Sequence, residues 1–215
     1  MSFPKVKICG VTQSEIARVA LEEGSDFIGS IFYDQSPRVV TLEQARLLLD
    51  DAKVPSAKRV AVAVDPDPEE LACWKLEGFS FFQLHFPESL SRNRIISWSQ
   101  AVGRENLWLA PRLSAEGSFP EELLELADTF LVDAFSRDQY GGTGQNADWV
   151  GFASWKNRWP SKTWVLAGGL SPNNVLEALS SSQAEILDAN SGLESSPGIK
   201  DPDKVRDFFS RLQAI

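Results

Sequence analysis

The sequence has few of the residues that mark a disulfide framework or a metal site. Its 215 residues include two cysteines and one histidine. Cys9 and Cys73 lie in segments of different type and lack metal-ligand spacing. Asp65-Pro-Asp-Pro68 lacks the spacing of a metal-binding loop as well. These absences argue against a disulfide-stapled domain and against a metal site.

Basic residues and long apolar runs are also scarce. Lysine and arginine total 21 against 30 aspartates and glutamates, which gives a net charge of −9. A nucleic-acid partner requires a basic face, so this charge argues against one. No apolar run is long enough to span a bilayer, and the first residues lack the apolar segment of a signal peptide. We expect a cytoplasmic protein without a membrane partner, either a monomer or a homodimer.

Short apolar runs alternate with helical patterns eight times along the chain, and no linker-like composition interrupts them. Parallel strands need such helical crossovers, so the alternation indicates the α/β class. Eight units in this length favour a closed (β/α)8 barrel, the TIM barrel, over an open sheet. We expect a single barrel domain over residues 1–215. The expected strands are 6–11, 27–32, 59–64, 81–85, 107–113, 129–134, 163–166 and 185–189, and the expected helices are 13–23, 42–52, 68–77, 90–102, 121–127, 149–157, 172–180 and 202–212.

Two charged residues are expected to pair inside this barrel. Residues two apart in a strand share a face, so Lys7 and Cys9 lie on the same side of the first strand. Because a lysine is unsuited to an apolar outer wall, both are expected to face the interior. Closure places the last strand beside the first, and a buried lysine without a partner is very costly. We therefore predict that Lys7 pairs with Asp188.

A glycine turn between the seventh strand and the next helix indicates a phosphate site. Gly168 and Gly169 carry no Cβ, so the backbone can turn sharply there and approach a ligand closely. Ser171 is suited to the N-cap and Pro172 to the first helical position. A helix N-terminus after such a turn favours a bound phosphate. The predicted ligand is a phosphorylated small molecule.

Short motifs along the whole chain follow the order found in one enzyme family. Together they resemble phosphoribosylanthranilate isomerase, a barrel enzyme of tryptophan biosynthesis. One departure is Phe86-Pro87, which follows His85 where the family usually has glycine. The matching motifs are Lys7-Ile-Cys-Gly-Val-Thr12, Ser36-Pro-Arg38, Gln83-Leu-His85, Val132-Asp133 with Gly141-Gly-Thr-Gly144, Leu166-Ala-Gly-Gly-Leu170, Asp188 with Ser191-Gly192, Glu194-Ser195, and Pro197-Gly198 with Lys200-Asp201.

This resemblance implies an Amadori rearrangement of N-(5'-phosphoribosyl)anthranilate, which needs an acid and a base and no metal or organic cofactor. It assigns the base to Cys9 and the acid to Asp133. A local positive field is expected to lower the pKa of Cys9 toward neutrality, and desolvation or negative charge to raise that of Asp133. Arg38 would hold the anthranilate carboxylate. The phosphate would lie against Gly142, Thr143, Gly144, Gly168, Gly169, Asn190, Ser191 and Gly192.

Other interpretations of these residues remain open. His85, the only histidine, is expected to be structural, as are Lys7 and Asp188, although a role for His85 as a base is the alternative. One rival function is an isomerase of another aminoaldose phosphate. The histidine-pathway enzyme, however, uses two aspartates and has internal two-fold symmetry, which this sequence lacks. A non-catalytic phosphosugar-binding paralogue and a structural protein are the remaining alternatives.

Overall fold

Eight parallel strands close into a barrel in the computed structural model, which describes residues 3–113, 119–133 and 149–214. Strands that follow each other in the sequence lie side by side in the barrel, and β1 closes the barrel by pairing with β8. The predicted fold class is confirmed. The strands are β1 (Lys5–Ile8), β2 (Phe27–Ile31), β3 (Arg59–Val64), β4 (Phe81–Pro87), β5 (Leu107–Arg112), β6 (Thr129–Asp133), β7 (Thr163–Ala167) and β8 (Ile186–Ala189).

The described part of the chain contains seven α-helices, and none of them has both the length and the apolar character needed to cross a bilayer. The helix expected over 121–127 is instead a short 3-10 segment, Glu121–Glu125. Pro120 before it and the start of β6 at Thr129 leave room for only a turn or two. The α-helices are α1 (Ser14–Glu22), α2 (Leu42–Asp51), α3 (Pro68–Leu76), α4 (Arg92–Val102), α5 (Trp149–Arg158), α6 (Val175–Ser182) and α7 (Pro202–Gln213).

The start of α6 differs from the prediction by three residues. The helix begins at Val175, so the expected N-cap at Ser171 and first helical position at Pro172 are wrong. The side chain of Asn174 explains the shift, because its Oδ1 accepts a hydrogen bond from the Ser171 N–H at 2.8 Å. Its Nδ2 also donates to the Gly169 carbonyl at 3.0 Å. These two bonds hold residues 169–174 as a turn and delay the helix.

The strands separate two apolar layers. Val60, Val62, Trp108 and Leu131 belong to a cluster inside the barrel, whereas the alternate strand residues pack against the helices. Cys9 belongs to the interior cluster, as the alternation along β1 predicts. The polar groups inside the barrel are therefore surrounded by apolar side chains and strand backbone.

A small hairpin follows the barrel and matters for the site. After β8, a 3-10 turn (Ser191–Leu193) leads into two antiparallel strands, β9 (Glu194–Ser196) and β10 (Ile199–Lys200). Gly198 in the hairpin turn has a φ of 85°, and a Cβ there would lie 2.5 Å from the Pro37 carbonyl oxygen. The hairpin thus packs directly against the loop that follows β2.

Candidate active site

Lys7 and Asp188 form a buried ion pair across the seam between β1 and β8. The two residues are direct partners in the strand register, and Lys7 Nζ lies 2.9 Å and 3.0 Å from the two carboxylate oxygens. Lys7 is fully buried. Burial lowers its pKa, but Asp188 and the neighbouring Cys9 raise it, and the net pKa is raised. The predicted pairing is confirmed, and Lys7 remains a charged interior group.

Replacing Asp188 with asparagine should therefore destabilise the fold by about 3 kcal/mol, because it leaves a buried lysine without its counter-charge. Urea unfolding monitored by circular dichroism measures this loss. The matched control is Asp207→Asn, which removes the carboxylate of an exposed pair with Arg211. That change should cost less than about 1 kcal/mol. Equal losses in the two variants would contradict a stabilising role for the buried pair.

Cys9 lies at the end of β1, facing the barrel interior. Its N–H donates to the Ala189 carbonyl at 2.9 Å, which ties it to β8, and the residue is 3% exposed. A Cβ on Gly29 would lie 3.1 Å from both Cys9 Sγ and Lys7 Cε. Gly29 therefore leaves room for the thiol and the lysine stem side by side. The role of Gly29 was not predicted, although a glycine inside a buried strand often marks such a close approach.

The pKa of the Cys9 thiol is raised, opposite to the expected direction. Burial is the largest cause and the Asp188 carboxylate adds to it, while Lys7 and Lys200 act in the other direction. The expectation considered only the positive field. The apolar interior outweighs that field, and Asp188 offsets part of the charge of Lys7. At neutral pH the thiol therefore holds its proton in most molecules.

Asp133 is the last residue of β6, at the same end of the barrel as Cys9. It pairs in register with Ala167 of β7 and is partly exposed. Leu131, two residues earlier, belongs to the interior cluster, so alternation places Asp133 on the interior face. β6 lies three strands from β1 around the barrel. The thiol and the carboxyl group thus border the same opening from different sides.

His85 lies near the end of β4 in contact with Gln83. Their Nε2 atoms are 2.8 Å apart, and burial together with the charge of Lys7 lowers the pKa of His85 to about 4. The imidazole is therefore neutral at pH 7, and its unprotonated Nε2 accepts from the Gln83 amide. Gln83 Oε1 is buried without a partner among the residues that the structure describes. This arrangement is in keeping with the structural role predicted for His85.

Arg38, the predicted carboxylate-binding residue, lies at the rim and is held by Glu194. Its Nε and Nη2 donate to the two carboxylate oxygens at 2.6 Å and 2.7 Å, and both side chains are largely buried. The backbone N–H of Arg38 donates to Ser36 Oγ at 3.1 Å. A Cβ on Gly10 would lie 2.6 Å from Arg38 Cδ, so the arginine stem crosses directly over the end of β1.

Glu194 and Lys200 are buried site residues that sequence analysis did not single out. Lys200 Nζ donates to Glu194 Oε1 at 2.6 Å and to Asn190 Oδ1 at 2.8 Å. Burial raises the pKa of Glu194, but hydrogen bonds from Arg38 and Lys200 outweigh it and bring the value to about 2. Both residues fall within the motifs that suggested the family. Their pairing with the loop after β2 depends on tertiary contacts that have no local signal.

The glycine turn after β7 meets the loop after β8. Gly168 and Gly169 have φ values of 99° and 59°, in the left-handed region, as the predicted sharp turn requires. A Cβ on Gly192 would lie 2.1 Å from the Leu170 carbonyl oxygen, so the two loops touch through their backbones. This contact brings the predicted phosphate-binding residues Gly168, Gly169, Ser191 and Gly192 to one side of the rim. Gly142, Thr143 and Gly144 lie outside the described residues.

The rim therefore combines groups for proton transfer with groups for binding an anion. A thiol and a carboxyl group border the opening, an arginine and a lysine lie beside it, and two glycine-containing loops meet at its edge. Among residues 3–113, 119–133 and 149–214, no cluster of three or more His, Cys, Asp or Glu side chains is placed to hold a metal ion. Acid–base chemistry on a small anionic molecule suits this set of groups.

Comparison with known sequences gives one family. The model of the family described as N-(5'-phosphoribosyl)anthranilate (PRA) isomerase matches residues 6–211. A protein of Zymomonas mobilis subsp. mobilis named N-(5'-phosphoribosyl)anthranilate isomerase is 35% identical over 215 residues, covering 98% of this chain and 99% of the relative. A protein of the same name from Paramagnetospirillum magneticum is 37% identical, covering 95% of each chain.

Solved structures give the same result. The phosphoribosyl anthranilate isomerase of Thermotoga maritima superimposes with a TM-score of 0.81 at 27% identity, covering 99% of this chain and 100% of that one. A phosphoribosyl anthranilate isomerase bound to reduced 1-(o-carboxyphenylamino)-1-deoxyribulose 5-phosphate superimposes with a TM-score of 0.77 at 27% identity. That second match also covers 99% of this chain and 100% of the other.

Proposed function

The chain belongs to the N-(5'-phosphoribosyl)anthranilate isomerase family, and we propose that Cys9 and Asp133 are its general base and general acid. It is an isomerase of tryptophan biosynthesis. One observation carries the proposed roles: a buried thiol and a carboxyl group lie on the interior face at the same end of the barrel. The carboxyl ends of the strands are where barrel enzymes have their active sites.

The proposed reaction consists of two proton transfers and a tautomerisation. The Asp133 carboxyl group protonates the furanose ring oxygen, the C1'–O4' bond breaks, and an iminium ion forms. The Cys9 thiolate then removes the C2' proton, and the electron pair of that C–H bond forms the C1'–C2' double bond of an enolamine. Tautomerisation of the enolamine gives the 1-amino-1-deoxyketose phosphate. Lys7 beside Cys9 stabilises the thiolate while Asp188 keeps the lysine in place.

Substrate binding is proposed to use the remaining rim groups. Arg38 binds the anthranilate carboxylate, and the backbone around Gly168–Gly169 and Ser191–Gly192 binds the phosphate, together with Gly142, Thr143 and Gly144. Lys7, Arg38 and Lys200 are three cations against the two anions Asp188 and Glu194. This local excess of positive charge supports binding of an anionic substrate to a chain whose net charge is −9.

Turnover of freshly prepared N-(5'-phosphoribosyl)anthranilate tests the proposed function. We expect the loss of anthranilate fluorescence in a chelator-containing buffer without added cofactor. The histidine-pathway aminoaldose phosphate, assayed in parallel, should not react. Binding of the reduced product analogue without turnover would instead indicate a non-catalytic phosphosugar-binding protein. Turnover of the second substrate alone would identify an isomerase of another aminoaldose phosphate.

A further inference from the structure

We propose that Glu194 is a positioning residue that fixes the guanidinium group of Arg38 and directs its second hydrogen-bonding edge to the substrate carboxylate. This inference rests on the proposed function, in which Arg38 binds the anthranilate carboxylate. Glu194 itself would not touch the substrate. It acts through the arginine, and the following observations support that role.

The geometry of the Arg38–Glu194 pair uses one edge of the guanidinium group. An arginine presents five N–H donors in a plane, and these form two forks, one with Nε and Nη2 and one with Nη1 and Nη2. Glu194 accepts from Nε and Nη2, the first of these forks. A second carboxylate can therefore bind the Nη1–Nη2 fork in the same plane. Glu194 thus sets the orientation of the plane without competing for the edge that a substrate needs.

Glu194 is itself held from several sides. Lys200 Nζ donates to its Oε1 at 2.6 Å, and the Gly198 N–H donates to its Oε2 at 3.3 Å. The hairpin that carries it packs at Gly198 against the carbonyl of Pro37, the residue before Arg38. Both the glutamate and the arginine loop are therefore positioned by backbone packing. A guanidinium group held in this way loses little further freedom when it binds a carboxylate.

The charges of the cluster also favour an incoming anion. Arg38 and Lys200 share the single carboxylate of Glu194, so this group of three side chains carries one unbalanced positive charge. All three side chains are mostly buried, at 14%, 1% and 5% exposure for Arg38, Lys200 and Glu194. Two cations that are this deeply buried repel each other strongly, and neighbouring anions offset that repulsion. A substrate carboxylate on the Nη1–Nη2 fork of Arg38 would neutralise this remaining charge.

Glu194→Gln tests this inference, because glutamine keeps the shape of the side chain but removes the charge and one acceptor. We expect KM for N-(5'-phosphoribosyl)anthranilate to rise about tenfold or more, the scale of hydrogen bonds to charged groups, with kcat changed about threefold or less. For N-(5'-phosphoribosyl)aniline, which lacks the carboxylate, the variant and the wild type should have the same KM. Glu194→Asp, which keeps the charge but retracts the carboxylate, should show a smaller loss with the same substrate dependence and serves if the glutamine variant folds poorly.

Asp50→Asn is the matched control. It removes the carboxylate that pairs with another mostly buried arginine, Arg59, at the opposite end of the barrel, and should leave both KM values unchanged. A Glu194→Gln variant that behaves like this control, or that raises KM equally for both substrates, overturns the positioning role.

Arg38→Lys separates this inference from the proposed function. If Arg38→Lys raises KM only for the carboxylate-bearing substrate while Glu194→Gln does not, the proposed role of Arg38 stands and the inference about Glu194 is wrong. If Arg38→Lys raises neither KM value, the role of Arg38 fails and the inference fails with it. A selective rise in both variants supports the inference.

Discussion

Replacement of Cys9 by serine is expected to lower kcat about a thousandfold, within the range that general acid–base catalysis contributes. Serine has nearly the same size but a much less acidic hydroxyl, so almost none of it is an anion at the pH of the assay. Because serine fits the space that the thiol occupies beside Gly29 and Lys7, the substitution should leave the fold intact. Steady-state turnover of N-(5'-phosphoribosyl)anthranilate measures the loss. Cys73→Ser, at the exposed cysteine in α3, is the matched control and should leave kcat unchanged.

The pH dependence of the residual activity of Asp133→Asn gives a second measure of this role. This variant has no acid that must stay protonated, whereas a thiolate base is more populated at high pH, so its kcat/KM should rise with pH until the pKa of Cys9 is passed. Since burial and Asp188 raise that pKa, the rise should continue beyond the pH at which an ordinary thiol ionises. The double variant Cys9→Ser/Asp133→Asn should lose this rise. A Cys9→Ser variant that keeps kcat within tenfold of the wild type would rule out Cys9 as the base.

Replacement of Asp133 by asparagine is expected to lower kcat by a similar factor of about a thousand. Asparagine keeps the shape of the side chain but cannot transfer a proton to the ring oxygen, so the ring-opening step loses its acid. Substrate binding involves other proposed groups, Arg38 and the glycine loops, and should be little affected. Turnover assays measure the loss in kcat, and titration with the reduced product analogue measures binding.

Asp128→Asn provides the control for this experiment. Asp128 comes directly before β6, at the other end of the strand that carries Asp133, and its half-exposed carboxylate forms ion pairs with Arg104 and Lys162. Its replacement should leave both turnover and binding unchanged. If Asp133→Asn instead loses affinity for the reduced analogue in proportion to its loss of turnover, Asp133 contributes to substrate binding and another group is the general acid.

The barrel and its interior ion pair could be predicted because both follow from periodicity. Strand alternation assigns Lys7 and Cys9 to one face, and closure makes β1 and β8 neighbours. The pairing of Lys7 with Asp188 can therefore be predicted without knowing the paths of the loops. The left-handed turn at Gly168 and Gly169 follows equally from the freedom of glycine. These features depend on regular structure, which repeats along the chain and can be counted.

The features that were not predicted depend on competition between groups that meet in the fold, or on contacts between loops that are distant in the sequence. The helix start at Ser171 is overridden by Asn174, whose side chain takes the Ser171 N–H and the Gly169 carbonyl. The pKa of Cys9 rises because the effect of burial exceeds that of the positive field, and this balance depends on how the folded interior packs. Glu194 meets Arg38 across 156 residues through two loops, and loop paths follow no periodic pattern. The motifs contain both residues, but they do not predict that Glu194 pairs with Arg38.

The ion pair between Lys7 and Asp188 joins residues 181 positions apart in the chain. Cys9 directly follows the first strand, whereas two of the charged groups that act on its pKa, Asp188 and Lys200, come from the last strand and the hairpin after it. During synthesis Cys9 therefore leaves the ribosome long before Asp188 and Lys200. The site therefore cannot assemble stepwise with the growing polypeptide. Activity should appear only when the final strand docks, so enzyme assays on a ribosome-released or refolding chain would report the closing event of folding itself.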